Sequence, residues 1–483
     1  FTINLQRMNI SYNWLKEFIH FNLKVDEVSE ILTNIGLEVE GVHKYQQFKG
    51  GLKGLVVGKV LTCVKHPNAD RLKLTTVDVG SENPLQIICG APNVDVNQTV
   101  VVATVGTILF PIKGDKFMIN KSKIRGELSQ GMICAEDEIG IGDSHEGIIV
   151  LDDKHKAGKK VSKIYNSYED IIFDLNLTPN RSDAMSHYGV ARDLKAALMH
   201  RGYKTELITP SVSSFHINSR TQKVNISVKD PIMCSRFTGV CIESITVKES
   251  PDWLQNKLKS IGHSPINNIV DITNYVLNEL GQPLHAYDLE KIKSSTIEVK
   301  TLKKNTLFTT LDGVERKLNS TDLMICDQNT PMCIAGVFGG DNHGITDKTH
   351  SIFLESASFN QVSVRKTAKS HSINSDASFR FERGIDIELV DYALKRATIL
   401  ICEVCGGKIC SDLIDEYPKK PFPKSILLNY EKINKLIGQT IPTEEIKSIL
   451  TSLDFKIINI TETGLGITVP LYRHDVTREC DVV

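Results

Sequence analysis

Near the start of the chain, apolar positions recur with a helical period and then switch to alternation. Ser11 to Phe18 carries a short helical pattern, and Val28, Ile31, Leu32 and Ile35 follow at i, i+3, i+4 and i+7 before Gly36, which predicts a second helix. Leu37-Glu38-Val39-Glu40 then alternates and predicts a strand. The plan returns near the other end. Pro442 opens a helix with Ile446, Ile449, Leu450 and Leu453 at the same spacing, and Phe455 to Ile458 resumes as a strand. Ile31-Leu32-Thr33 and Ile449-Leu450-Thr451 even match in letters. The reading is either two small helix-strand units of similar build or one common amphipathic pattern occurring twice.

Between Gly54 and Leu151 the texture is different. Short Val/Ile-rich runs, clearest at Leu55 to Val64, Leu72 to Val79, Leu85 to Cys89 and Thr99 to Val105, are separated by Gly, Pro and Asn turns. Such spacing predicts a small closed barrel. From Val224 to Gly407 strands and helices mix, predicting a larger α+β domain. Pro418, Pro421 and Pro423 with intervening lysines read as a linker, and Phe422 to Val483 as the second helix-strand unit.

Composition narrows the class. A chain of 483 residues exceeds one hydrophobic core, so about three to four domains are expected. With 41% apolar and 24% charged residues it reads as soluble and globular. A net charge of −1 advertises no global attraction to nucleic acid, so any RNA contact must come from local basic patches. The 11 cysteines lack a framework spacing and read as reduced thiols of a cytoplasmic protein. Cys402-x-x-Cys405 with Cys410 lacks the second ligand pair of a zinc site, and its first two members close an apolar helix ending at Gly406-Gly407. No stretch approaches the roughly 20 apolar residues of a membrane span. Phe1 to Arg7 resemble no signal peptide and read as an appended or mis-started segment ahead of Met8.

Within the barrel segment stand Lys65-His66-Pro67-Asn68-Ala69-Asp70-Arg71-Leu72, Cys89-Gly90-Ala91-Pro92-Asn93, Lys123-Ile124-Arg125-Gly126-Glu127 and Gln130-Gly131-Met132-Ile133-Cys134. Lys65, Arg71, Lys73, Lys121, Lys123 and Arg125 could line a groove for a nucleic-acid backbone, or simply form a charged surface. Gly58-Lys59 is no phosphate loop, because Val60 stands where Ser or Thr is needed. As a group these motifs resemble the OB-type tRNA-binding domain shared by several aminoacyl-tRNA synthetases and tRNA cofactors.

The remaining motifs choose among them. Met8 to Leu15, Leu177-Thr178-Pro179-Asn180-Arg181-Ser182-Asp183, Asn267 to Val276, Gly281 to Asp288, Gly336-Val337-Phe338-Gly339-Gly340, Leu354-Glu355-Ser356-Ala357, Ser375 to Ser378 with Arg380 to Gly384, and Arg473-His474-Asp475 before Asp481 stand in order. Together they resemble the bacterial-type phenylalanyl-tRNA synthetase β subunit from Met8 to Val483, C-terminally truncated. The resemblance implies an α+β multidomain fold. Winged-helix-like units are expected at both ends (8–46 with 153–207, and 416–483), an inserted OB-fold barrel at 47–152 and an editing domain at 208–415. It further implies an α-subunit partner in an (αβ)2 heterotetramer, tRNA(Phe) as ligand, and ATP used at the α subunit. Phenylalanine attachment would be shared with that subunit, and mischarged tyrosyl-tRNA(Phe) would be hydrolysed here.

A phenylalanine-charging enzyme must refuse tyrosine, and an apolar pocket rejects an added hydroxyl only about a hundredfold. A second, hydrolytic site needs a polar partner for the phenolic OH. Ile352 to Ser358 reads as a strand with Phe353, Glu355 and Ala357 on one face, so Glu355 is either solvated at an edge or paired inside. The resemblance gives Glu355 the hydroxyl-recognising role; the plainer alternative is an ion pair with Arg380 or Arg383. His285, in an expected loop after Pro283, joins it by resemblance, with Thr273, Gly339, Ser375 and Ala377. Asp475 and Asp481 match two of the family's Mg²⁺ ligands, or are ordinary surface acids. A tRNA-binding and scaffolding protein with an inactive pocket is the competing reading.

Overall fold

The computed structural model describes residues 7–165, 167–294, 296–418 and 420–483. The segment ahead of Met8 lies outside them as far as Gln6, as does Lys419 in the expected linker. The chain forms two compact units, Lys44–Asp170 and the remainder.

In Lys44–Asp170, antiparallel strands follow the order Gly131–Ile133, Thr99–Thr104, Leu55–His66, Ala69–Asp78, Leu85–Cys89, with Val150–Leu151 also on Thr99–Thr104. The path nearly closes, because Gln130 N–H donates to the Gln86 carbonyl at 2.8 Å and Ile88 N–H to Ser129 Oγ at 3.2 Å. Val100 and Val102 point to one core, with Val60, Val77, Ile87 and Ile133, while Val101 and Ala103 point to another, with Leu55, Leu109 and Ile139. A strand buried on both faces explains the unbroken Val100-Val101-Val102 run. The second strand begins at Ala69 rather than Leu72. His66 Nδ1 accepts from Asn68 N–H at 3.0 Å, tightening the turn so that pairing resumes at Ala69. Gly58 sits mid-strand where a Cβ would lie 2.6 Å from both Val77 and Val102, so its glycine serves close packing.

In the other unit, the two ends share one topology. Strand Arg7–Ser11, helices Tyr12–Phe18 and Val25–Asn34, and strands Glu38–Gln46 and Glu169–Asn176 form a three-stranded sheet with the last strand in the middle. Strand Ser425–Asn429, helices Tyr430–Ile437 and Thr443–Ser452, and strands Lys456–Ile460 and Gly464–Thr468 do the same. The match holds position for position. Ser11 and Asn429 cap the first helices, accepting from Trp14 and Lys432 N–H. Gly36 (φ 84°) and Asp454 (φ 63°) end the second, and Leu37 N–H reaches Leu32 O as Phe455 N–H reaches Leu450 O. The matching Ile-Leu-Thr letters therefore mark equivalent helix positions.

Between them two sheets carry the large mixed α+β part. One has the order Asn225–Val228, Thr296–Thr301, Leu323–Asp327, Thr330–Ile334, Phe338–Gly339. The other runs Leu284–Asp288, Ser351–Phe359, Cys234–Glu243, Lys408–Ile409. Along Ser351–Phe359, Ile352 and Leu354 face helices Asn268–Leu280 and Leu389–Cys405 through Ile272, Val276, Ala393 and Ala397. Phe353 and Ala357 face the opposite core, with Tyr287, Met332 and Ile334. Glu355 therefore projects to the inter-sheet side, among apolar neighbours. Cys402 and Cys405 lie in the last turn of Leu389–Cys405, which stops at left-handed Gly406 (φ 77°).

Candidate functional site

Helix Asn268–Leu280 begins where Asn267 accepts from Ile269 and Val270 N–H, and stops at left-handed Gly281 (φ 85°). That reversal feeds the chain directly into strand Leu284–Asp288, which pairs antiparallel with Ser351–Phe359. His285 is thus on a strand, not in the expected loop; Gly281-Gln282-Pro283 supplies the whole turn. The register sets His285 opposite Glu355 and Tyr287 opposite Phe353.

A cavity of about 540 Å³ opens over this point. Thr273, His285, Gly339, Glu355, Ser375 and Ala377 all line it, together with Asn274, Leu311, Cys333 and Asp376. Ser375 caps helix Asp376–Phe381 and donates to the Val337 carbonyl at 2.7 Å, tying the loop that carries Gly339 to the helix that carries Ala377. Thr273 Oγ1 donates to its own helix at Val270 O, 2.7 Å away. Gly339 packs on the imidazole: a Cβ there would lie 2.8 Å from His285 Cε1 and 2.9 Å from Leu311 Cδ1.

Glu355 is 5% exposed and forms no ion pair among the described residues. Arg380 instead donates to Asn278 and to the carbonyls of Met185 and Asp376, and Arg383 pairs with Glu382. Among the described residues the Glu355 carboxyl has one hydrogen-bond partner, the Tyr287 hydroxyl, which donates to Oε2 at 2.5 Å. Burial pushes this carboxyl up to about 8, against the smaller opposing pull of the Tyr287 hydrogen bond. Burial also pushes the His285 imidazole down to about 4, so it is neutral at physiological pH. Sequence reasoning missed Tyr287. Once Leu284–Asp288 is known as a strand, period-two alternation puts Tyr287 on the face of His285.

The raised carboxyl has a stability consequence. Between about pH 4.5 and 8 the folded chain holds a proton on Glu355 that the unfolded chain releases, so stability falls as pH rises through that window. Glu355→Gln removes this term while leaving an acceptor for Tyr287. Its urea midpoint relative to the parent chain should therefore be higher at pH 8 than at pH 5.5; a constant difference would contradict the buried carboxyl.

The basic positions lie in Lys44–Asp170. His66 Nε2 lies 3.2 Å from the Ile124 carbonyl and Asn68 Nδ2 donates to the Arg125 carbonyl at 3.2 Å. This latch brings the turn between Lys65 and Arg71 beside the turn bearing Lys123 and Arg125, all of them exposed, as is Lys121. Lys73 departs from the set, because its Nζ donates inward to the Val94 carbonyl at 2.6 Å.

Asp475 and Asp481 do not assemble as ligands. Arg473 holds Asp475 through Nε and Nη2 at 2.9 and 3.0 Å, with Asn180 at 3.1 Å. Asp481 accepts from Arg478 Nη2 and from the Thr477 and Arg478 backbone at 2.9–3.0 Å. Carboxylates engaged by guanidinium groups do not fit a hydrated, octahedral Mg²⁺ as they stand. Among the described residues no cluster of metal-ligating side chains occurs.

Three family models match this chain: the tRNA binding domain over residues 55–160, the B3/4 domain over 233–406 and the tRNA synthetase B5 domain over 426–483. The chain is 54% identical over 477 residues to the phenylalanine–tRNA ligase beta subunit of Bacteroides fragilis, covering 99% of this chain and 58% of that protein. It belongs to the phenylalanine–tRNA ligase beta-subunit family. The beta subunit of Porphyromonas gingivalis is 52% identical over 479 residues, with the same coverages. The chain thus spans 58% of the length of these curated family members. A solved N-terminal fragment of the phenylalanyl-tRNA synthetase beta subunit from Pyrococcus horikoshii aligns over 99% of this chain and 97% of that one. At 13% identity and a TM-score of 0.39 it carries no weight. The Glu355 cavity falls inside the B3/4 match and the basic turns inside the tRNA binding match. No helix among the described residues is long and apolar enough to cross a membrane.

Proposed function

We propose that this chain supplies the tRNA-docking and proofreading part of a phenylalanyl-tRNA synthetase β subunit, acting with an α subunit in an (αβ)2 enzyme. In this reading ATP-dependent attachment of phenylalanine to tRNA(Phe) takes place at the α subunit in the cytoplasm. An OB-type barrel at 47–152 would dock the tRNA and an editing domain at 208–415 would hold the proofreading pocket. The observation that carries the reading is the cavity with a buried carboxyl, one oxygen held and the other without a hydrogen-bond partner among the described residues. A tyrosyl side chain entering between Gly339 and Ala377 would bring its phenol to that free oxygen, which accepts when ionised and donates when protonated.

The bond to be cut is an activated ester; Ser375, His285 and Asp376 line the cavity, but among the described residues no hydrogen bond links them into a Ser-His-Asp relay. The residues present would act by orientation. His285, neutral and without a hydrogen-bond partner among the described residues, can hold the attacking water, and Thr273 and Ser375 offer hydroxyls at the rim. The tRNA's own terminal hydroxyl assists. Asp475 and Asp481, engaged by Arg473 and Arg478, take no part in this hydrolysis.

The test is to incubate the 483-residue chain with tyrosyl-tRNA(Phe) and follow ester loss. Loss above the spontaneous rate is expected, with phenylalanyl-tRNA(Phe) largely spared; spontaneous loss alone would leave the scaffold reading. For docking, Lys65, Lys123 and Arg125 changed together to Ala should weaken tRNA(Phe) binding. The salt slope of log K should drop by about one unit per lost phosphate contact. Filter binding from 50 to 200 mM salt measures this, and an unchanged slope would remove these turns from the interface.

A further inference from the structure

We infer that Tyr287 is a positioning residue of this cavity: its hydroxyl fixes one Glu355 oxygen so that the other meets the substrate's phenol, making hydroxyl selectivity depend on Tyr287. The inference rests on the proofreading reading above and deepens it. Glu355 is flanked across the sheet by His285 on one side and Gly239 on the other. Gly239 offers no side chain, and a Cβ there would meet the Phe353 ring at 2.2 Å. His285 makes no hydrogen bond to a described residue, and the Cys333 thiol, with the Phe338 and Ile334 carbonyls as alternative acceptors at 3.3 and 3.4 Å, meets the Tyr287 hydroxyl and not the Glu355 carboxyl. Among the described residues, Tyr287 is thus the polar group that decides which way the carboxyl turns.

Tyr287 is itself immobilised. It is fully buried, its ring lies edge-on to His285 at 4.5 Å between centroids, and it tilts against Phe353 at 6.3 Å. One side chain therefore orients both the carboxyl and the imidazole. A buried carboxyl with a free torsion would lose part of its hydrogen-bond energy to disorder, whereas a fixed one presents a defined oxygen at no reorganisation cost. The titratable groups facing Glu355 are His285 and Tyr287 from the neighbouring strand, Cys333 from Thr330–Ile334, Cys234 from Cys234–Glu243 and Asp376 across the cavity. All but Asp376 are deeply buried and neutral at physiological pH, since burial raises the thiols and the phenol and lowers the imidazole.

The experiment compares the parent chain, Tyr287→Phe, Glu355→Ala and the double variant on tyrosyl-tRNA(Phe) and phenylalanyl-tRNA(Phe). Tyr287→Phe keeps the ring packing and should lower kcat/KM for the tyrosyl ester about tenfold, the cost of one oriented hydrogen bond. The phenylalanyl ester should change less than about twofold, and the double variant should match Glu355→Ala. Independently of RNA, the Glu355 carboxyl band in infrared titration, identified by its loss in Glu355→Gln, should move to higher pH in Tyr287→Phe. Equal loss on both esters, or an unmoved titration, overturns the inference. A titration that moves in Tyr287→Phe, together with a parent chain that spares tyrosyl-tRNA(Phe), instead overturns the proofreading reading, and the claimed selectivity falls with it.

Discussion

Glu355→Ala should abolish discrimination, lowering the rate on tyrosyl-tRNA(Phe) by about a hundredfold or more while phenylalanyl-tRNA(Phe) is scarcely affected. The magnitude follows from what the pocket leaves behind. With the carboxyl gone, a phenol entering between Gly339 and Ala377 has its hydroxyl in a largely apolar wall that includes Cys333, Val337 and Phe359. A buried hydroxyl without a partner costs about 1–3 kcal/mol, and Tyr287 loses its carboxyl acceptor as well. Sites built to bind a hydroxyl discriminate far more strongly than sites that merely tolerate one. The variant should remain folded, because the lost carboxyl is itself unfavourable in its buried setting near neutral pH. The measurement is the ratio of initial deacylation rates on the two esters at equal enzyme. A ratio unchanged from the parent chain would detach Glu355 from recognition and leave a tRNA-binding scaffold.

Much of this arrangement was legible before any coordinates, because local rules suffice for it. Alternation put Phe353, Glu355 and Ala357 on one face, and they do share it. The helical repeat of Val28, Ile31, Leu32 and of Ile446, Ile449, Leu450 found both small helix-strand units, whose equivalence the shared capping pattern makes plain. What stayed hidden depends on partners far along the chain. Pro283 suggested a loop around His285, yet the strand there exists because Ser351–Phe359 lies alongside it. Tyr287 became visible only with that register. Lys73 looked like its basic neighbours until the Val94 carbonyl captured it. Arg380 and Arg383 looked like partners for Glu355, but strand direction turns Glu355 between the sheets while helix Asp376–Phe381 delivers Arg380 to Asn278. The acids Asp475 and Asp481, matched to Mg²⁺ ligands by resemblance alone, are each engaged by a neighbouring arginine, a contact that the sequence did not show.

Gly339→Ala should close the cavity. The added Cβ would stand 2.8 and 3.0 Å from the His285 ring and 2.9 Å from Leu311 Cδ1. Leu311 is half-exposed and can swing away, but the imidazole cannot retreat easily, since the Tyr287 ring stands edge-on to it at 4.5 Å. His285 would therefore shift toward the cavity, into the space proposed for the aromatic side chain and the attacking water. Displacing a group that positions reacting atoms by about 1 Å costs on the order of a hundredfold. Deacylation of tyrosyl-tRNA(Phe) should fall by about that factor, with most of the loss in kcat. Tyrosine selectivity should survive in what activity remains, because Glu355 is untouched. That pattern is the opposite of Glu355→Ala, which spares the phenylalanyl ester, so the two variants separate positioning from recognition. Gly339 is not in the left-handed region, so the stability cost is that of overpacking against His285, about 1–3 kcal/mol, and rates are compared at a temperature where both chains are folded. A Gly339→Ala chain with parental rates on both esters would show that His285 has room to move, and would take it out of the reacting geometry.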